Sequence, residues 1–192
     1  MSIRPIVISG HPALHEPAAP VTEFNQELVE LVNDMYETMD AAPGVGLAAP
    51  QIGLGVQIFV YDYPTDEGEP RRGVAINPEL FVSPLEIRDT TEADDEGCLS
   101  FPGERFPLVR GEKCILRAVD VDGEPFTLEC EGWFARIMQH EYDHLLGYLY
   151  VDRLEYEFAR EAAKIGKKRG WGSRDRSKPG LSWMPGVDNL EG

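Results

Sequence analysis

The chain has 192 residues, 42% of them hydrophobic and 27% charged, with a formal net charge of −16. That length suits one domain with its own core, and the acidic balance argues against general nucleic-acid binding, because phosphates need a cationic face. No apolar run approaches the roughly 18 residues of a membrane span, and the opening "MSIRPIVISGHP" is too weakly apolar for a secretory signal, which favours the cytoplasm.

Leu28, Leu31, Val32, Met35 and Met39 recur at helical spacing in "NQELVELVNDMYETMDAA", with Thr22 or Asn25 as cap and Pro43-Gly44 as stop. The Gly-rich "PGVGLAAPQIGLG" follows. It has no Lys-Ser/Thr after its glycines and no strand–turn–helix order, which argues against a phosphate cradle. Close backbone approach explains it better: Val45 and Gly46 can pair with an extended peptide as an added strand. "VQIFVYD" reads as a strand, and "GVAINPELFVSPLEI" as extended chain broken by prolines. "KCILRAVDVDGEPFTLEC" is a hairpin turning at Asp122-Gly123. Gly132 opens a helix over about 133–146 that Gly147 closes, and "EYEFAREAAKIGKKR" predicts another over about 155–169. Residues 170–192, rich in Gly, Pro and Ser, read as an irregular C-terminal tail rather than core. The expected fold class is α+β: short antiparallel strands and a hairpin packed around a central metal-binding helix, with an N-terminal helix and a C-terminal helix and tail.

Charge is uneven along this order. Residues 159–178 hold eight Lys/Arg against two acids, a net of +6, which leaves −22 for the rest. Three widely spaced cysteines, an odd number, do not form a disulfide framework and fit reduced thiols, one of them a candidate ligand.

The helix over 133–146 carries "QHEYDHLLG". His140 and His144 lie one turn apart on one face, with Glu141 beside them, and H-E-x-x-H on a helix is a zinc-type signature. Trp133 and Ile137 share that face, so the imidazoles emerge from an apolar strip rather than a solvated one. The bland alternative is a pair of partly exposed helix histidines. Asp143, on the flank, can orient a ligand, pair with an arginine such as Arg110, or be a solvated carboxylate. A third ligand must come from Cys98, Cys114, Cys130, or a downstream acid such as Asp152 or Glu155. Cys114 and Cys130 fall in the hairpin, where a small buried hydrophobe explains them. No strand pattern explains Cys98 in "DDEGCLSFPG", and pattern alone leaves it level with the other candidates together. Trp133, Ile137 and the stem of Arg136 are candidates for an apolar substrate pocket, core packing being the alternative for the first two.

"GVGLAAPQIG" (44–53), "EGCLS" (96–100) and "QHEYDHLLG" (139–147) resemble, in order and spacing, the three motifs of peptide deformylases. The resemblance runs over about residues 1–155, including "GWFARIMQHE" and "LYVDRL". It implies a hydrolase that removes the N-formyl group from N-formylmethionyl nascent polypeptides and releases formate, with residues 1–169 as a single catalytic domain. It further implies that Cys98, His140 and His144 bind one divalent metal ion, Fe2+ in cells, which Zn2+, Ni2+ or Co2+ can replace. Glu141 is then the acid/base, and the Gln51 amide and Leu99 backbone N–H face the oxyanion. Substrate contacts fall to Val45, Gly46, Gly97, Arg105, Trp133, Arg136 and Ile137. Pro43 and Arg136 depart from the family pattern, at the pocket mouth and on the metal helix. The basic C-terminal segment could meet the ribosome, the slightly preferred alternative being a solvated helix followed by a tail packed on the body, and nothing in the sequence demands a membrane or more than a monomer. Two further readings share the helix: a zinc endopeptidase with another third ligand, and a non-catalytic structural-metal or ribosome-associated protein with a closed four-ligand site.

Overall fold

A computed structural model describes residues 2–65, 68–171 and 181–188. Five antiparallel strands make the main sheet in the order β2-β3-β4-β7-β8: Gly46–Ala48, Ile58–Asp62, Arg72–Val82, Lys113–Val119 and Pro125–Glu131. Two short ribbons complete the strands. β5 (Asp95–Cys98) pairs with β6 (Phe101–Pro107), and β1 (Ile6–Val7) pairs with β9 (Ser182–Trp183). The helices are α1 (Gln26–Ala41), α2 (Gly132–Leu145) and α3 (Tyr156–Arg169). The α+β expectation holds, with α2 packed across the main sheet.

Local chemistry sets these boundaries. Asn25, not Thr22, caps α1, its Oδ1 accepting from the Leu28 N–H at 3.1 Å. The stripe Leu28, Val32, Met35 and Met39 is buried against Ile58 and Val60 of β3, with Leu31 at its edge. On α2, Phe134, Ala135, Ile137, Met138 and Leu145 pack with Phe59, Tyr61 and Leu116 of the sheet. Truncating the fully buried Met138 to alanine would cost about 2–5 kcal/mol, so this packing holds the helix firmly in place. Gly147 ends α2 at φ +82, and a Cβ there would come within 2.9 Å of the Glu16 backbone.

Three sequence expectations are corrected. β4 runs unbroken through Pro78, because a bulge between Ile76 and Glu79 puts the proline where no ladder N–H is required. Asn77 takes the bulge at φ +50, and its amide exchanges two 2.8 Å hydrogen bonds with the Val21 backbone. Cys98 does belong to a strand, the last residue of β5. The tail expectation fails for 181–188, since β9 pairs with β1 and Trp183 is buried in the core; 172–180 and 189–192 lie outside the described residues.

Candidate metal centre and active site

Two elements build the site. α2 presents His140 and His144 one turn apart, ring centroids 4.9 Å from each other. β5 brings up Glu96 and Cys98, alternate residues that share its buried face. Cys98 Sγ lies 3.4 Å from His144 Nε2, and one donor atom from each of Cys98, His140 and His144 lies within 4.8 Å of the others. Bonds of about 2.3 Å to sulfur and about 2.0–2.1 Å to nitrogen place tetrahedral ligand atoms about 3.5 Å apart, so this set fits a metal ion. Three protein donors also leave a position open for reactant. It is the one such cluster of three among the described residues.

Glu96 sets the tautomer of His140. Its Oε1 accepts from Nδ1 at 2.6 Å, which leaves Nε2 as the ring nitrogen that faces the cluster. Burial would raise the Glu96 carboxyl, but Arg110 and His140 outweigh it and hold it well below the usual range. Burial likewise opposes protonation of His140, yet Cys98 and Glu96 lift its pKa well above the ordinary value, while burial and His140 push His144 well below it. Behind this pair, Arg110 donates to both Glu96 oxygens (2.6 and 3.1 Å) and to Asp143 (2.6 Å), and Arg153 grips Asp143 bidentately. Asp143 therefore anchors the arginines rather than touching a ligand. No role for Glu96 follows from the sequence pattern, although it opens the EGCLS motif two residues before Cys98.

Glu141 is buried, and its Oε2 has no partner, as is also true of His144 Nδ1. Burial pushes its carboxyl up to about 7. Gly46 makes this position available, since a Cβ there would overlap the carboxylate. Gln51 turns its Oε1 to the Ala48 N–H (2.8 Å) and its Nε2 to Cys98 Sγ (3.8 Å).

A cavity of about 700 Å³ opens over these groups. Gln51, Leu99, His140 and Glu141 line it, as do Val45, Gly46 and Gly97. Arg105 reaches it from β6, donating to the Asp95 carbonyl at 3.0 Å. Trp133 is 38% exposed there, whereas Ile137 serves both cavity and core. Pro43 also lines it. Arg136 also lines it, but its guanidinium turns inward to Glu96 Oε2 (3.0 Å) and the Leu108 carbonyl (2.8 Å), so its charge is balanced rather than offered to a ligand. The other proposed third ligands lie elsewhere. Asp152 binds the Leu149 N–H, Glu155 is exposed, and Cys114 and Cys130 face each other in the β7–β8 hairpin.

The profile of the polypeptide deformylase family matches residues 3–158. The chain is 48% identical to a peptide deformylase of Mycolicibacterium paratuberculosis, covering 97% of this chain and 96% of that one. It is 50% identical to peptide deformylase 2 of Corynebacterium efficiens, over 98% and 96%. Among solved structures, peptide deformylase from Thermus thermophilus superposes with a TM-score of 0.75 at 36% identity, covering 86% of this chain and 94% of that one. A peptide deformylase from Synechococcus elongatus in complex with actinonin gives 0.75 at 34%, over 88% and 89%.

Proposed function

The chain belongs to the polypeptide deformylase family, and from that premise we propose the roles its own residues take in removing the N-formyl group from nascent peptides. The reaction is hydrolysis of a formamide, releasing formate and a free amine. Residues 1–169 are the catalytic domain, and Cys98, His140 and His144 hold the metal. The observation that carries this is the convergence of those three donors within 4.8 Å beside the unpartnered Glu141 carboxylate.

A divalent metal, once bound, polarises the formyl carbonyl and lowers the pKa of water from about 15.7 toward 7. Thiolate with two imidazoles suits iron(II) as well as zinc, and we assign Fe2+. Glu141 removes the attacking water's proton and delivers it to the departing amine, a task favoured by a carboxyl near 7. The Gln51 Nε2 group carries two hydrogens, one toward Cys98 Sγ and one for the oxyanion, to which the Leu99 backbone N–H also donates. Gly46, at the start of the edge strand β2 of the main sheet, and Val45 just before it take the substrate backbone, which makes recognition largely indifferent to downstream side chains. Gly97 and Arg105 complete that contact. Trp133, Ile137 and the Arg136 stem receive the methionine side chain, whose unbranched thioether suits such a pocket.

The enzyme works as a monomer in the cytoplasm. The exposed cations Arg160, Lys164, Lys167 and Lys168 of α3 draw it to ribosomal RNA, so co-sedimentation with ribosomes should weaken steeply with salt. No helix among the described residues is long and apolar enough to cross a membrane. The direct test is anaerobic purification with elemental analysis and a formate-release assay on a short N-formylmethionyl peptide. One metal per chain with formate release is expected; a metal-loaded protein that releases no formate overturns the reading.

A further inference from the structure

One contact reaches the reacting groups from the far end of the chain. Trp183 Nε1–H donates to the Leu99 carbonyl at 2.9 Å, and the Ser9 N–H donates to the next carbonyl, Ser100 O, also at 2.9 Å. Both donors belong to the β1–β9 ribbon and its flanks, which the Ile8 N–H also ties to the Leu181 carbonyl at 2.8 Å. The Leu99–Ser100 peptide is planar, so its two ends move as one. Its carbonyl is held by the indole, and its N–H points at Cys98 Sγ, 3.4 Å away. The Leu99 N–H lies just across the Leu99 Cα. Trp183 also lines the catalytic cavity, together with Gly186 and Asp188, so the segment forms part of its wall.

We propose that Trp183 is a positioning residue for the reaction: its indole N–H fixes the peptide group that joins the metal-binding sulfur to the oxyanion donor. The inference rests on the deformylase reading above. A ring that merely filled core space would be indifferent to whether its nitrogen faced this carbonyl. Without the donor, the Leu99 oxygen loses its indole partner and the 98–100 turn gains freedom at both of its active groups.

Trp183→Phe keeps most of the ring and removes the donor. Replacing the indole with benzothiophene, sulfur in place of N–H, keeps the shape almost unchanged and guards against misfolding of the first variant. In each, kcat for formate release should fall about tenfold with KM within about twofold, since the loss falls on the transition state. Metal content should stay near wild type in both, and melting temperature should stay nearest to wild type in the benzothiophene variant, which keeps the ring volume. In cobalt(II)-loaded protein, the sulfur-to-cobalt absorption should shift as the Ser100 N–H loosens from Cys98. Unchanged kcat and an unchanged cobalt spectrum in either folded variant would overturn the proposal. Formate release by the unaltered protein tests the parent reading separately.

Discussion

Cys98 and the Cys114–Cys130 pair are equally buried thiols with different fates. Cys114 and Cys130 stand opposite each other in β7–β8, and their sulfurs point at carbonyl oxygens of Ala135 and Leu128. The Cys130 sulfur beside it, with burial, pushes the Cys114 thiol up, which suits a protonated, inert group. Around Cys98 the partners are donors: the Gln51 amide, the Ser100 N–H and two imidazoles. Burial alone therefore does not make a ligand. What sets Cys98 apart is that N–H groups and imidazoles, rather than carbonyls, surround its sulfur.

The sharpest way to break this contrast is to exchange the thiols' fates. Cys98→Ser should lose metal and lower kcat/KM by more than about a thousandfold, measured by elemental analysis and formate release. If it retained both, the contrast between the two regions would be wrong. Glu141→Ala should keep the metal and lose about a hundred- to ten-thousandfold in kcat, which separates holding the ion from moving the proton. Glu96→Gln tests whether support from β5 matters as much as ligation: metal affinity should drop about 10–100-fold by competition with a chelator.

A smaller effect comes from pH. Burial raises the Glu141 carboxyl from 4.5 to about 7 in the folded protein, so folding favours its protonated form. That stability is fully present below about 4.5 and is lost as pH rises through about 7. In chelator-treated protein, Glu141→Gln should therefore be more stable than wild type by about 3 kcal/mol at pH 8, with little difference at pH 4.5, read from urea unfolding. Least of all, Cys114→Ala should cost about 1 kcal/mol and leave metal and turnover intact.

Much of this was legible in the chain. α1 and α2 announce themselves by apolar spacing, and Asp122-Gly123 marks the β7–β8 turn, because these depend on neighbours a few residues apart. His140 and Glu141 were visible for the same reason. Cys98 was not decidable from pattern, since what distinguishes it is the company of His140 and His144, more than forty residues away; the family motifs supplied the choice. Glu96 stayed hidden because β5 is four residues long and its pairing slips between Gly97 and Cys98. Trp183 gave no signal at all: its partner strand is at the opposite end of the sequence, in a segment whose composition reads as tail.

The pairing of β1 with β9 carries a consequence for biogenesis. Ile6 and Val7 must wait for Ser182 and Trp183, so the wall of the cavity and the clasp on Leu99 are completed only when that distant segment has emerged. An enzyme that trims other chains during their synthesis thus completes its own cavity wall only after a segment far downstream of β1 has emerged.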